Sequence, residues 1–415
     1  MSTPRRRVVI LGGSGAMGRI TARDFERTAH GALDVVIADR IPPLPGTAAG
    51  ATFVEVDVTD PASLHGVLDG AFAVIASLPY RFNLQAMHGA LAAGAHYVDL
   101  GGLFHVTREQ MKLAGDFERA ECMAILGMGS APGILNVLAV RAARGMDTVQ
   151  AIHCMVGAID RTRWHNLPPL GFGYSPDTLL DEFALESAVF RDGRFVMVPP
   201  LDPAERIEVR FPSPVGILTL DSTLHSEVAT LPLSFADRGV REVTFRQGFE
   251  REFMDRLAFL VRLGLVDSQP IHPGGMTPRQ MLLALLGRFP APTYDGEPQR
   301  SEILRTQVVG RRRGRLVIVN ADCHAGPRAG WGIGPDIDTG APPSIAVQML
   351  AAGEIVLRPG VWFPEQAVPV DPFIRELERR GMRVVCRPGT APRPATRRSS
   401  RPRRAASPRT RQPVS

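Results

Sequence analysis

Val8-Val9-Ile10-Leu11-Gly12-Gly13-Ser14-Gly15-Ala16-Met17-Gly18 decides the fold, because an apolar β-type run passes straight into a G-x-G-x-x-G turn. A second apolar run, Val35-Val36-Ile37-Ala38, follows and is closed by Asp39. Strand, glycine turn, amphipathic helix, strand and acid, in that order, form a dinucleotide-binding βαβ unit. Gly13 is expected to make the tight turn, Gly15 to admit the pyrophosphate, and Gly18 to let the helix pack close. Ser14, Ala16 and Met17 complete the loop that offers helix N-terminal N–H groups to phosphates. Asp39 should accept both ribose hydroxyls of NAD and repel a 2′-phosphate, so NAD is favoured; Arg40 beside it offers that phosphate a cradle, which leaves NADP open.

Working outward, apolar runs at 52–56, 73–77, 96–99 and 123–126 alternate with helical segments beginning near Pro61, Asn83 and Thr107. Asp60 or Thr59 before Pro61 and the Thr107/Gln110 spacing read as helix starts. The pattern is α/β: a Rossmann domain, a doubly wound parallel sheet, over residues 1–128. Its ligand should lie across the carboxyl ends of the strands, at Asp57-Val58, Ser77-Leu78-Pro79 and Asp99 to Gly102. From 129 to 343 the texture changes to short strands broken by Gly or Pro (150–156, 194–198, 206–211, 216–220, 240–247, 307–309, 316–320) with helices at 249–263 and 278–288. This reads as an α+β substrate domain on a largely antiparallel or mixed sheet. Residues 344–387, with a helix to 352, a strand at 354–356, a helix at 372–380 and a strand at 382–385, should return to the first domain.

The chain has 415 residues, 44% hydrophobic, enough for about two domains with sizeable cores. No apolar stretch approaches the ~20 residues of a membrane span, and Met1 leads into a strand without a signal-peptide core, so the expectation is a cytoplasmic protein that does not meet a membrane. The four cysteines (Cys122, Cys154, Cys323, Cys386) form no C-x-x-C pair, and Cys323-His324 is not ligand-spaced, so no metal is expected. The formal net charge of +6 belongs to the end of the chain: residues 388–415 hold eight arginines and no acid. That Pro/Arg/Ser-rich tail has little to bury and is expected to be disordered, with at most weak electrostatic attraction to nucleic acid. Lys112 is the single lysine, in a polar helical segment, which argues against Schiff-base catalysis.

Three motifs then point to a family. Gly127-Met128-Gly129-Ser130-Ala131-Pro132-Gly133-Ile134-Leu135-Asn136, Tyr97 to Gly102, and Asp338-Thr339-Gly340-Ala341-Pro342-Pro343-Ser344 resemble the saccharopine dehydrogenase-like oxidoreductases, and most of all their lysine ε-dehydrogenase branch. The resemblance implies a Rossmann domain, a substrate and dimerisation domain, hence a homodimer, and NAD(P)-linked oxidation at an amine-bearing carbon of a small amine or amino acid. Saccharopine reductases carry an acid where this loop has Ala131, so a simpler substrate than saccharopine is expected. A C–N-bond-forming reductase and a non-catalytic NAD(P)-binding regulator are the alternatives.

Such chemistry needs a nicotinamide held over the reacting carbon and a polar group that moves protons. The Ser130, Ala131, Pro132, Gly133 turn opens a helix, and its N–H groups suit the nicotinamide carboxamide or a substrate carboxylate; Asn136 is placed with the substrate. Asp99 is read as orienting an amine or a water, or as capping the Gly101-Gly102 turn. His225 has the pKa range for acid–base work, Glu182 or Glu227 could pair with a distal ammonium, and Arg81 could grip a carboxylate.

Overall fold

The computed structural model describes residues 5–48, 50–290, 292–328, 331, 336–390 and 393–394. Val8, Val9 and Ile10 are fully buried because their strand, β1 (Arg6–Leu11), is an inner strand of a seven-stranded sheet. Strands covered on both faces lose the alternation of a half-exposed sheet and read as continuous apolar runs. β2 (Leu33–Asp39) and β3 (Thr52–Glu55) extend the sheet on one side. β4 (Ala73–Ala76), β5 (His96–Asp99), β6 (Met123–Ile125) and the late strand Gly360–Trp362 extend it on the other, every pair parallel. The order reverses at β1, with β2 on one flank and β4 on the other, and a crevice opens there at the carboxyl ends.

The helices α1 (Ala16–Thr28), α2 (Pro61–Leu68), α3 (Asn83–Ala92), α4 (Leu103–Met111) and α5 (Ala114–Arg119) connect these strands. Asp60 caps α2 as expected, its Oδ1 accepting from the Ala62 N–H at 3.1 Å. The Thr107/Gln110 capping box is not formed. α4 starts four residues earlier, at Leu103, and both side chains point inward: Thr107 donates to Ser226 and Gln110 to Asp99.

The second body is built on a ten-stranded mixed sheet with β7 (Thr148–Asp160) near its centre. β7 pairs parallel with Glu242–Gly248 and antiparallel with Arg300–Arg312, which turns back into Arg315–Ala325. α6 (Ile134–Ala142) packs across that sheet, and α7 (Pro176–Ala184) and α8 (Glu227–Ser234) carry site residues. The hairpin strands run to 13 and 11 residues, well beyond the expected 307–309 and 316–320. Charged residues that look like strand ends neutralise each other across the ladder: Arg305 faces Asp322 in register and binds both its oxygens, at 2.7 and 2.9 Å.

The C-terminal elements return to the first sheet only in part. The helix Ile337–Ala351 packs on α1, beginning before Pro343 and containing it. Residues 354–356 form no strand; Gly360–Trp362 takes that place beside β6. The strand Arg383–Pro388 instead joins the large sheet. Within the segment expected to be disordered, Gly389 donates to the Ile318 carbonyl, Thr390 accepts from Gln307, and Arg393–Pro394 pairs with Ile207–Arg210, so ordered chain continues past 387; the rest of the tail lies outside the described residues. Among the described residues no helix is long and apolar enough to cross a membrane.

Candidate active site

The glycine turn fits the role its spacing suggests, with one reassignment. Gly12, not Gly13, takes the left-handed backbone, φ 72°, and a Cβ there would strike the Ser77 carbonyl. Gly13 is limited by space: its Cβ would lie 2.9 Å from Ile37 Cγ2 and 3.0 Å from the Ile10 oxygen. A Cβ on Gly18 would collide with the Gly12 carbonyl, whereas one on Gly15 meets nothing nearer than the Gly12 oxygen at 3.2 Å. The open side of the turn therefore faces out at Gly15, where a pyrophosphate can approach the start of α1. Asp39 ends β2 with Oδ2 accepting from the Ser14 N–H at 3.0 Å and Oδ1 from the Arg40 N–H at 2.7 Å.

Farther along the same edge, Leu78 Cδ2 lies 3.0 Å from the Gly12 Cβ position, and the Ser77 hydroxyl is buried without a partner. Pro79 leads into the short turn Tyr80–Phe82, and Val58 packs on the core beneath. Asp57 is exposed and turns its carboxylate to the hydroxyl and N–H of Thr59, which hold it below the usual carboxylate range. A cradle that any Cβ at Gly12 or Gly18 would fill, an open Gly15 and an acid at the end of β2 together fit a dinucleotide.

Asp99 is a hub. It is fully buried, its Oδ1 accepting from the N–H groups of Gly101 (3.0 Å) and Gly127 (2.7 Å), its Oδ2 from Gln110, Tyr97 and Asn83 at 2.6, 3.1 and 3.2 Å. Burial raises its pKa, against the pull of those donors. With five donors in place its carboxylate holds the turns after β5 and β6. Asn136, expected at the substrate, is committed elsewhere: its Oδ1 caps the Gly133 N–H at 3.0 Å and its amide donates to Glu365 and Thr230. The turn before it is tight. Gly133 sits at φ 125°, where a Cβ would overlap Gly129, and Pro132 lies against Gly101 and Gly127. Ala131 is partly exposed, and Ser130 Oγ meets Thr339 Oγ1 at 2.8 Å, joining this loop to the late helix.

Glu182 and the near neighbours His225 and Glu227, more than forty residues further on, come together in the second body. His225 Nδ1 lies 2.5 Å from Glu227 Oε2, and His225 Nε2 3.8 Å from Glu182 Oε1. The imidazole stacks on Phe245, ring centroids 3.7 Å apart. Glu182 Oε2 also accepts from the Tyr174 hydroxyl at 2.5 Å and Gln247 at 2.7 Å. Burial works against a charged imidazole, but Glu227 and Glu182 outweigh it and raise the His225 pKa; burial pushes Glu182 up. Ser226, between His225 and Glu227, accepts from Gly102 and Thr107, which places the cluster against the carboxyl end of β5. Among the described residues no group of three or more His, Cys, Asp or Glu could hold a metal ion.

Arg81 stands at the rim, half-exposed, 3.7 Å from Asp177, while its neighbour Tyr80 reaches α7 through Asp181 at 2.8 Å. Tyr174 and Gln247, which hold Glu182, and Thr339, which meets Ser130, were not among the candidate site residues of the sequence reading. Only the Asp338-Thr339 motif gave a signal for any of them.

The chain matches the family model of the saccharopine dehydrogenase NADP binding domain over 8–125 and that of the saccharopine dehydrogenase C-terminal domain over 129–382. It is 24% identical over 278 residues to carboxynorspermidine synthase of Vibrio cholerae serotype O1, covering 64% of this chain and 63% of that protein. The chain thus spans just under two thirds of that curated relative's length. Apo saccharopine dehydrogenase (L-Glu forming) of Saccharomyces cerevisiae superposes with a TM-score of 0.70 at 17% identity, over 93% of this chain and 100% of that one. At that identity the match shows the fold. The dinucleotide site is one for NAD(P).

Proposed function

The chain belongs to the saccharopine dehydrogenase family of NAD(P)-linked oxidoreductases, and from that premise we propose that it oxidises the amine-bearing carbon of an amino acid or amine and releases ammonia. The observation that carries this reading is the buried Glu182–His225–Glu227 cluster at the end of β5. The bound nicotinamide supplies hydride acceptance. Asp39 and the Gly12–Gly18 turn hold the dinucleotide, and the Asp39 carboxylate makes NAD the preferred form. Glu227 fixes His225 through Nδ1, leaving Nε2 as the atom that moves a proton to and from the reacting nitrogen or its water. Glu182, oriented by Tyr174 and Gln247, draws the amine toward that nitrogen.

A second reading has its own support. The similarity to carboxynorspermidine synthase, whose named product is a carboxylated polyamine, favours a reductase that joins an amine to a carbonyl acid. A panel of amines and amino acids with NAD+ or NADP+, read at the reduced-nicotinamide absorbance with ammonium measured in parallel, separates the two. Reduced cofactor with matching ammonium supports oxidation. Oxidation of NAD(P)H that requires both an amine and a carbonyl acid replaces it with the second reading.

A further inference from the structure

One helix, α7, offers acids to both bodies at once. Its Leu179, Leu180 and Phe183 pack with Leu257 and Leu282 of the helices Arg251–Leu263 and Pro278–Leu286. Asp177 and Asp181, four residues apart, share another face of α7, and Glu182, one residue further, points about 100° round the helix from Asp181. The two oxygens of Asp181 are held by different bodies: the Tyr80 hydroxyl of the first body donates to Oδ2 at 2.8 Å, and Arg279 Nη2 lies 2.7 Å from Oδ1. Asp177 repeats the pattern more loosely, with Oδ2 3.7 Å from Arg81 and Oδ1 3.8 Å from Arg279.

The bridge is shielded and both its ends are fixed. The Asp181 and Arg279 side chains are 14% and 11% exposed, so the pair escapes most of the screening that makes surface pairs worth little. Arg279 also donates through Nε to the Val266 carbonyl at 2.8 Å. The Tyr80 ring meets His105 edge-on, centroids 5.7 Å apart, and burial and then Asp181 hold its phenol well above the usual value, so it stays a donor. Tyr80 follows directly on Ser77-Leu78-Pro79, where the Ser77 carbonyl crowds Gly12 and the Phe82 N–H closes the turn on the Pro79 oxygen at 2.9 Å. A dinucleotide on the glycine turn therefore seats beside the segment that carries Tyr80. At the far end of the path the Glu182 carbonyl accepts from the Leu224 N–H at 3.2 Å, next to His225.

We propose that Tyr80 and Arg279 are positioning residues: through the two oxygens of Asp181 they set α7, and with it Glu182, against His225, and Tyr80 carries the filling of the dinucleotide crevice to that helix. The inference rests on the reading above for the part Glu182 plays toward the amine, while the link from the nucleotide to α7 needs no turnover. Nucleotide seated at the crevice steadies the turn Tyr80–Phe82, the phenol holds Asp181, and Glu182 is kept where it meets the incoming amine.

The test is hydrogen–deuterium exchange of the full chain with and without saturating NAD+, read by mass spectrometry over α7. NAD+ should slow exchange at residues 176–184 at least about fivefold in the parent, the low end of coupling between two sites. In Tyr80→Phe, which keeps the ring and loses the donor, the slowing should vanish over α7 and persist over residues 12–18; Asp181→Ala should do the same. On the amine that the parent turns over fastest, Tyr80→Phe should lower kcat/KM by about tenfold, the scale of one lost hydrogen bond to a charged group, mostly through a higher KM for the amine; loss of folded protein alone would lower kcat at fixed KM. No slowing over α7 in the parent, equal slowing in Tyr80→Phe, or an unmoved amine KM in that variant would overturn the proposal. The parent's own response to NAD+ stands even if a variant folds poorly. Slowing that Tyr80→Phe removes, with no amine oxidised, would sink the oxidation reading alone; amine oxidation with α7 indifferent to NAD+ would sink this proposal alone.

Discussion

Replacing Glu302 by Gln should change stability in a way that depends on pH, and the burial of its carboxyl group beside Asp336 sets both direction and size. Burial, and then the Asp336 carboxylate, push Glu302 up to about 7 in the folded chain from an ordinary value of 4.5. Between those values the folded state holds a proton that the unfolded chain has released, so stability falls as pH rises through about 7. Below 4.5 both states are protonated and the contribution is whole; above 7 both are ionised and the loss is complete. The shift corresponds to roughly 3 kcal/mol at most, reduced by whatever solvent reaches the partly buried Glu302. Gln keeps a polar amide of nearly the same shape and removes that titration. Urea unfolding at pH 5 and pH 8 should show Glu302→Gln gaining about 1–3 kcal/mol relative to the parent on going to the higher pH. A difference between variant and parent that is the same at both pH values would refute the raised titration of Glu302.

Asp39→Ser should weaken NAD by ~1.5–3 kcal/mol, the scale of hydrogen bonds to a charged group, while sparing or improving NADP; equal NAD affinity in a binding titration would remove Asp39 from the site. His225→Asn should lower turnover by roughly 10²–10⁴-fold with little change in nucleotide affinity, and near-parental kcat would deny His225 its proton-transfer role. Ala131→Asp should depress turnover of a small amine in steady-state kinetics, because it sets a new carboxylate in the loop beside Ser130, while nucleotide binding changes less. Ending the chain after Arg387 removes the Gly389–Ile318 and Gln307–Thr390 hydrogen bonds and should lower the melting temperature by about 2–4 °C per kcal/mol lost; an unchanged melting temperature would show that this segment adds no stability.

The first domain was legible because its signals are local. The Val8–Leu11 run, the glycine spacing and Asp39 each report on neighbours within a single βαβ unit, and burial on both faces writes parallel strands as apolar runs. Gly12 was overlooked because the motif counts from Gly13, while the positive φ falls one residue earlier. The second body was harder to read, since its strands carry charges that only cross-strand partners explain: Arg305 reads as a strand end until Asp322 is seen opposite it. Glu182, His225 and Glu227 were flagged singly by residue type, but their convergence depends on α7 and α8 meeting at the end of β5, which no local pattern encodes. Asp99 and Asn136 illustrate the converse. Their polarity at strand and helix ends suggested chemistry, and in the fold their oxygens hold the turns at Gly101, Gly127 and Gly133.

The most direct test of the account is the fate of the hydrogen on the amine-bearing carbon. The amine turned over fastest, deuterated at that carbon, should deliver its deuterium to the nicotinamide ring of the reduced cofactor, one label per ammonium released, as read by mass spectrometry. Reduced cofactor without label, or no reduction with any amine while NAD(P) still binds, would contradict hydride transfer from an amine carbon as the function of this site.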